Sequence, residues 1–220
     1  MKKLCIFDLD GTLTDTITAI AHFGNIGLRA VNLAPIEKDK YKYFAGDGRV
    51  KLIHRMLDFY SADTEENYNK ASAAYDSAYE SDPMYKTDAF DGMKETLTAL
   101  REIGVHIAVC SNKPHNVVCD VVKSVFGDIP DIVKGIEEGD IIKPDPSNTL
   151  KIIEKIGADK KDCLFIGDTN IDIHTGKNAG IDTVGVLWGF RDRAELEEAG
   201  ADYIISKPQE LINIVNEQNQ

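Results

Sequence analysis

Short apolar runs, each bounded by polar residues or glycine, recur along the chain. They cover residues 4–7, 105–110, 163–166, 183–188 and 203–205. Continuous apolar runs of this length are typical of strands that are buried on both faces, as the strands of a parallel sheet are. The pattern therefore predicts five buried strands.

The stretches between these runs have the spacing of amphipathic helices. Apolar positions recur every three or four residues through residues 93–103, 116–125, 147–156 and 171–179. A glycine follows three of these segments, at Gly104, Gly157 and Gly180, where a helix commonly ends. Strands that alternate with helices predict an α/β fold built on a parallel sheet.

Residues 15–85 have a different character. They contain no convincing buried strand, they are rich in Ala, Tyr, Lys and Glu, and helical spacing runs through residues 50–60 and 65–79. The first strand ends at Asp8 and the next begins near Val105, so this segment interrupts one crossover between strands. We therefore expect an α/β core domain formed by residues 1–14 and 86–220, and a helical domain formed by residues 15–85.

The composition narrows the possible classes of function. The chain has 37 acidic and 25 basic residues and a formal net charge of -12. This charge argues against binding to nucleic acid or to an anionic membrane surface, because both need a cationic face. The first apolar run is too short for a signal-peptide core or a membrane span. Widely spaced cysteines without a Cys-x-x-Cys pair favour a reduced, cytoplasmic protein over one with disulfides or a zinc site.

Two carboxylates, Asp8 and Asp10, stand at the end of the first strand, where an open parallel sheet binds its ligands. Neighbouring carboxylates tend to separate their pKa values, which would supply one ionised nucleophile and one acid. Gly11 allows backbone N–H groups to approach a phosphate, and Thr12 can add a hydroxyl donor. Taken alone, the pair is equally compatible with two solvated aspartates.

Polar residues also follow later strands or stand in the connections between them. Asp168 and Asp172 are four residues apart where a helix should begin, so they can share a helical face and bind a cation such as Mg²⁺. Ser111 and Lys143 could hold phosphoryl oxygens. Each has a structural alternative, since Ser111 and Asp168 could cap helices while Asp172 and Lys143 are solvated.

Taken together, these segments resemble the four motifs of the haloacid dehalogenase superfamily. The first motif is Phe-Asp-Leu-Asp-Gly-Thr-Leu at residues 7–13, and the others contain Ser111, Lys143 and Asp168, in the same order and at similar spacing over essentially the whole chain. The resemblance implies a Rossmann-like parallel sheet core, a small helical cap domain inserted after the first strand, and a Mg²⁺ cofactor.

The resemblance also implies a catalytic role for four residues. Asp8 would attack phosphorus to form an aspartyl-phosphate, and Asp10 would protonate the leaving alkoxide and then activate the hydrolytic water. Ser111 and Lys143 would hold the phosphoryl oxygens and stabilise their charge. These roles describe a phosphatase that acts on a small phosphate ester.

The remaining core residues would bind the substrate or the metal. Thr12 and Asn112 are the expected substrate contacts. The expected metal ligands are Asp8, the backbone carbonyl of Asp10, Asp168 and, either directly or through water, Asp172.

Within the superfamily, the Asp-Gly-Thr context, the helical insertion and the segment Gly-Val-Leu-Trp-Gly-Phe at residues 185–190 look most like the phosphoglycolate phosphatase group. This resemblance implies 2-phosphoglycolate as the substrate. Specificity would then reside in the cap, where Gly46 and Gly48 allow close backbone approach and Arg49 can clamp a carboxylate. The alternative is a turn at the start of a helix with a solvent-facing Arg49. The chain could be a monomer or a homodimer.

Other outcomes share much of this chemistry. Asp10 disfavours a dehalogenase, which has no such acid at this position. A β-phosphoglucomutase-like phosphomutase, a pyrophosphatase or a nucleotidase would use the same steps up to the aspartyl-phosphate. A non-catalytic binding module of the same fold would be expected to lose Asp8, Asp10 or Lys143, and none of them is lost.

Overall fold

The computed structural model describes residues 1–216 and contains a six-stranded parallel sheet with helices packed against it. The strands are β1 (Leu4–Phe7), β2 (Thr14–Asp15), β3 (Asp88–Ala89), β4 (His106–Pro114), β5 (Ile132–Ile136), β6 (Cys163–Gly167), β7 (Asp182–Val186) and β8 (Tyr203–Ile205). The strand order in the sheet is β5-β4-β1-β6-β7-β8, and all neighbours are parallel. The short strands β2 and β3 form a separate antiparallel pair.

The helices of the core alternate with its strands, as the sequence predicts. The α-helices along the chain are α1 (Ile17–Ala30), α2 (Lys38–Phe44), α3 (Arg49–Asp58), α4 (Glu65–Ser81), α5 (Met93–Glu102), α6 (His115–Phe126), α7 (Ser147–Ile156), α8 (Asn170–Ala179), α9 (Arg193–Glu198) and α10 (Glu210–Asn216). Within residues 1–216, no helix has the length and apolar character needed to cross a membrane.

The chain forms two compact units. One unit contains Met1–Asp15 and the chain from Asp88 onward, and it holds the sheet. The other is Thr16–Thr87, which contains helices α1 to α4. The predicted fold class is confirmed, because the parallel α/β core carries a helical insertion after its first strand.

Strand β1 occupies the middle of the sheet, between β4 and β6. All four of its residues are fully buried, which explains why its sequence is a continuous apolar run. The chain reaches β4 on one side of β1 and later β6 on the other. Such a reversal leaves a crevice at the carboxyl ends of the strands, where open α/β sheets bind their ligands. Asp8 follows β1 directly into this position.

The prediction of five strands was incomplete, because β5 was missed. This strand lies at the edge of the sheet and is only partly buried, and Lys134 and Gly135 interrupt its apolar pattern. Gly135 has a packing reason, since a Cβ there would lie 2.6 Å from the backbone oxygen of Lys113. Half-buried edge strands lack the continuous apolar run that identifies central ones.

The helical unit has a buried core of its own. Tyr41 of α2 is fully buried and lies against Gly24 of α1, where an added Cβ would come within 2.4 Å of the tyrosine ring. The Tyr41 hydroxyl donates to Asn25 Oδ1 at 2.9 Å, and the Asn25 amide also bonds both the N–H and the carbonyl of Ile36. These contacts fix the loop between α1 and α2.

Candidate active site

Three strand ends bring the predicted core residues together. The N–H of Asp8 donates to the carbonyl of Ile166 at 2.9 Å, so the end of β1 remains in register with β6. Ser111 lies near the end of β4 on the other side of β1, and Asp168 follows β6. All three side chains are buried, with residue exposures of 8% for Asp8, 4% for Ser111 and 0% for Asp168. Solvated carboxylates at strand ends would not be enclosed in this way.

Lys143 bridges two of the carboxylates. Its Nζ lies 2.7 Å from Asp8 Oδ1 and 2.7 Å from Asp172 Oδ1, and the side chain is only 4% exposed. The loop that carries it is held by Asn112, because the N–H of Lys143 donates to Asn112 Oδ1 at 2.8 Å and Asn112 Nδ2 donates back to the Lys143 carbonyl at 3.3 Å. The amide of Asn112, predicted as a substrate contact, therefore fixes the backbone of Lys143.

Asp168 is held by donors from two distant segments. Its Oδ1 accepts a hydrogen bond from the Thr12 hydroxyl at 2.8 Å, and its Oδ2 accepts one from the backbone N–H of Phe190 at 2.7 Å. Thr12 was expected to contact substrate, whereas its hydroxyl here orients a carboxylate. A ligand fixed in this way needs little reorganisation when it binds a cation.

Asp172 forms part of the first turn of α8. Its Oδ2 accepts hydrogen bonds from the N–H of Thr169 at 3.1 Å and from the Thr169 hydroxyl at 2.9 Å, which is a capping arrangement. Gly167 leaves room for this side chain, because a Cβ there would lie 2.1 Å from Asp172 Cβ. Asp172 therefore combines helix capping with the contact to Lys143.

The enclosure of these groups shifts their pKa values. Burial raises the pKa of Asp8 to about 7, against the lowering effect of Lys143. Burial also raises the pKa of Asp168 well above its usual value, and the charges of Asp172 and Asp8 add to this effect. Burial alone would lower the pKa of Lys143, but the carboxylates of Asp172 and Asp8 outweigh it and raise that pKa.

The donor set is suitable for a divalent cation. One carboxylate oxygen from each of Asp8, Asp168 and Asp172 lies within 4.8 Å of the others, and all three residues are buried. If all three carboxylates are ionised, their charge and that of the Lys143 ammonium group sum to two minus. Mg²⁺ prefers oxygen ligands and would balance this charge. These residues could therefore hold the Mg²⁺ ion that the sequence motifs imply.

Without a metal ion, the protein should lose stability as the pH rises from about 5 to 8. The folded state holds a proton on Asp8 more tightly than the unfolded chain does, since its folded pKa is about 7. The stability that this bound proton contributes to the folded state is therefore fully present below the unfolded pKa of about 4, and it is lost as the pH rises through the folded pKa. The melting temperature in EDTA should fall by on the order of 5 °C between pH 5 and pH 8.

Saturating Mg²⁺ should largely remove this pH dependence, because the cation stabilises the ionised carboxylates. Asp8→Asn provides the control, since it removes one of the two carboxylates whose pKa is raised and should therefore weaken the pH dependence. The prediction would be contradicted if the melting temperature of the wild type in EDTA stayed constant from pH 5 to 8. It would also be contradicted if the wild type and the variant showed the same dependence on pH.

Asp10 makes a different contact from Asp8. Its carboxylate pairs with Lys113 Nζ at 2.9 and 3.1 Å, and both side chains remain partly exposed. Lys113 was not predicted as a site residue, although it directly follows Ser111 and Asn112 near the end of β4. No local pattern identifies the role of Lys113, because its partner Asp10 lies 103 positions away in the sequence.

The predicted cap residues lie in the helical unit. Gly46 and Gly48 both have positive φ, at 115° and 84°, so the turn between α2 and α3 needs glycine at these positions. Arg49 is the first residue of α3, and its Nη1 contacts Asp76 at 2.7 Å and Ser72 at 2.6 Å. A guanidinium that is held by another helix is more ordered than the solvent-facing alternative would be.

A second arginine, Arg55, stabilises the turn between α2 and α3. Asp47 is buried, and its carboxylate is in close contact with Arg55 and lies 3.2 Å from Lys51. Arg55 also donates to the carbonyl of Phe44 at 2.9 Å. Hydrogen bonds and charge from Arg55 and Lys51 lower the pKa of Asp47 in spite of its burial. Neither Asp47 nor Arg55 was assigned a site role from the sequence.

Comparison with known proteins identifies the family of this chain. A family model of haloacid dehalogenase-like hydrolases matches residues 5–186. The chain therefore belongs to the haloacid dehalogenase-like hydrolases, and the resemblance found in its motifs is confirmed.

Individual relatives cover nearly the whole chain. A phosphoglycolate phosphatase from Aquifex aeolicus is 30% identical over 218 residues, which cover 97% of this chain and 97% of that protein. A phosphoglycolate phosphatase from Agrobacterium fabrum is 30% identical over 200 residues, or 87% of this chain and 83% of that one. The crystal structure of a protein from Lactobacillus delbrueckii subsp. bulgaricus superposes on this structure with a TM-score of 0.94. The two proteins are 28% identical, and the superposition covers 98% of this chain and 99% of that chain.

Proposed function

We propose that this protein is a Mg²⁺-dependent phosphatase that hydrolyses a small phosphate monoester, 2-phosphoglycolate, through an aspartyl-phosphate intermediate. The observation that carries the proposal is the buried contact of Lys143 with Asp8 at 2.7 Å beside the carboxylates of Asp168 and Asp172. Relatives that are 30% identical over most of their length and are named phosphoglycolate phosphatases support the choice of substrate. The four unpaired cysteines support a reducing compartment, such as the cytoplasm.

The first half of the reaction transfers the phosphoryl group to the protein. A carboxylate oxygen of Asp8 forms a bond to phosphorus while the bond from phosphorus to the ester oxygen breaks, and Asp10 delivers a proton to the departing alkoxide. Lys143 and the Ser111 hydroxyl hold the phosphoryl oxygens. The ammonium group of Lys143 also favours the ionised form of Asp8, which is the form that attacks.

The second half returns the protein to its starting state. Asp10, now ionised, takes a proton from a water molecule as the water oxygen attacks phosphorus, and the bond between Asp8 and phosphorus breaks. Mg²⁺ bound by Asp8, Asp168 and the Asp10 carbonyl, with Asp172 beside them, would supply positive charge to the phosphoryl oxygens in both halves. Lys113, paired with Asp10 at 2.9 Å, keeps that side chain in one position.

The helical unit is proposed to act as a cap that selects the leaving group, with Arg49 as the carboxylate clamp. Its contacts with Ser72 and Asp76 all use Nη1, so the edge formed by Nε and Nη2 is the one suited to a substrate carboxylate. In this arrangement Asp76 would fix the orientation of the guanidinium.

Arg49→Ala should raise KM for 2-phosphoglycolate by about tenfold, because a charge-assisted bidentate contact is lost. KM for a phosphate ester without a carboxylate, such as p-nitrophenyl phosphate, should change little. Steady-state kinetics on both esters would measure the difference. Arg29→Ala, which removes an exposed arginine of the same unit, is the matched control. An equal rise in KM for both esters would exclude the clamp.

Phosphate release from a panel of substrates tests the function as a whole. The panel contains 2-phosphoglycolate, pyrophosphate, nucleoside monophosphates and hexose phosphates, each assayed with Mg²⁺ and with EDTA. A strong, Mg²⁺-dependent preference for 2-phosphoglycolate would support the proposal. A preference for pyrophosphate or nucleotides would replace the substrate, and conversion of one hexose phosphate into its isomer would indicate a phosphomutase. No release from any substrate would overturn the phosphatase assignment.

A further inference from the structure

The only tryptophan of the sequence lies against the turn that follows Asp10. Trp188 comes shortly after β7, and its Nε1–H donates to the carbonyl of Thr12 at 2.9 Å. The hydroxyl of the same threonine donates to Asp168 Oδ1 at 2.8 Å. The indole is thus connected through one residue to a carboxylate of the metal site. The reaction described above gives Trp188 no role.

The next two residues contact the same carboxylate directly. At Gly189 an added Cβ would lie 2.3 Å from Asp168 Cβ and 2.4 Å from the backbone oxygen of Gly11, so a side chain would displace the turn or the carboxylate. The N–H of Phe190 donates to Asp168 Oδ2 at 2.7 Å. Three successive residues therefore support Asp168 and the turn beside it.

The surroundings of Trp188 distinguish it from a residue that only fills the core. The side chain is half-buried and lines a cavity of about 550 Å³. Its aromatic neighbour is Phe90, with ring centroids 6.4 Å apart and planes inclined by 59°. Because the ring borders open space, its packing contributes less to stability than that of an enclosed tryptophan. The hydrogen bond to Thr12 is its most specific contact.

We propose that Trp188 is a positioning residue for the metal site. Its N–H fixes the Thr12 carbonyl, this directs the Thr12 hydroxyl to Asp168, and Asp168 consequently offers its oxygens to Mg²⁺ in one orientation. The inference rests on the proposed function, since it requires that Asp168 binds Mg²⁺. Substituting a residue that hydrogen-bonds a metal ligand typically lowers metal affinity by about 10–100-fold. Removing a hydrogen bond one residue further away should lower it by about threefold to tenfold.

Calorimetric titration with Mg²⁺ tests this inference without measuring turnover. Trp188→Phe keeps an aromatic ring but lacks the N–H, and it should weaken Mg²⁺ binding by about threefold to tenfold. Thr12→Val should weaken it at least as much. The double variant should be no weaker than Thr12→Val alone, because both changes interrupt one chain of contacts. Phe90→Leu, which alters the neighbouring ring only, is the control and should bind Mg²⁺ like the wild type.

Intrinsic fluorescence gives a second test that needs no change at Trp188. In the wild type the emission of this single tryptophan should change on addition of Mg²⁺, and in Thr12→Val the change should be lost. This measurement decides the matter if Trp188→Phe does not fold.

The results separate the inference from the proposed function. Wild-type protein that binds no Mg²⁺ would overturn both. Wild-type protein that binds Mg²⁺, together with a folded Trp188→Phe variant of unchanged affinity, would overturn the positioning role alone. Equal fluorescence responses in the wild type and Thr12→Val would do the same.

Discussion

Replacing Asp8 with asparagine should lower kcat by at least about 10⁴-fold, because the amide cannot attack phosphorus and no other group replaces it. The fold should survive. Asparagine has nearly the same shape as aspartate, and its oxygen can still accept the hydrogen bond that Lys143 Nζ donates at 2.7 Å. The substitution also removes a carboxylate whose ionised form is disfavoured by burial. The melting temperature of the variant in EDTA at pH 8 should therefore equal or exceed that of the wild type.

Two measurements check this prediction. Phosphate release under single-turnover conditions gives the loss of activity, and mass spectrometry of the quenched reaction should find a phosphorylated peptide containing Asp8 in the wild type only. Asp128→Asn is the matched control, since it makes the same chemical change at a carboxylate that is 91% exposed. If Asp8→Asn retained more than about a hundredth of the wild-type kcat, the nucleophile would have to be another group.

Replacing Lys143 with methionine should reduce both activity and stability. Methionine keeps much of the apolar stem, but it leaves the carboxylates of Asp8 and Asp172 without their ammonium partner. Removal of one partner from a buried ion pair costs about 3–5 kcal/mol, because the remaining charge is desolvated and uncompensated. We expect a decrease of that size in the free energy of unfolding in EDTA at pH 8, and at least a 10³-fold decrease in kcat from the loss of charge stabilisation.

Denaturant unfolding should identify the cause of the lost stability. Lowering the pH to 5 or adding Asp172→Asn should restore part of it, because either change removes negative charge from the cluster. Lys177→Met is the control: its ion pair with Asp202 is about 40% exposed on the lysine side, so its loss should cost less than about 1 kcal/mol. Equal losses in the two lysine variants would show that burial of Lys143 among carboxylates has little effect on stability.

The predicted site residues fall into two groups once the fold is known. Asp8, Asp168, Asp172 and Lys143 come together as a buried charged cluster, as their positions after strands or in the connections between them indicated. Thr12 and Asn112 instead contact the protein, where they orient Asp168 and the loop of Lys143. Their contact with substrate stays a prediction, as does the clamp at Arg49. A hydroxyl or amide near an active site can serve either purpose, and the sequence does not distinguish them.

The sequence by itself predicted five of the six strands of the sheet and the helices α5 to α8, because burial on both faces leaves a continuous apolar run and a helix repeats its apolar positions locally. It also showed which reactive residues stand at strand ends. Only the tertiary structure decided their partners. Asp10 pairs with Lys113, 103 positions away, and Thr12 bonds Asp168, 156 positions away. Such contacts depend on strand register and on the paths of the loops, so no local pattern of residues can encode them.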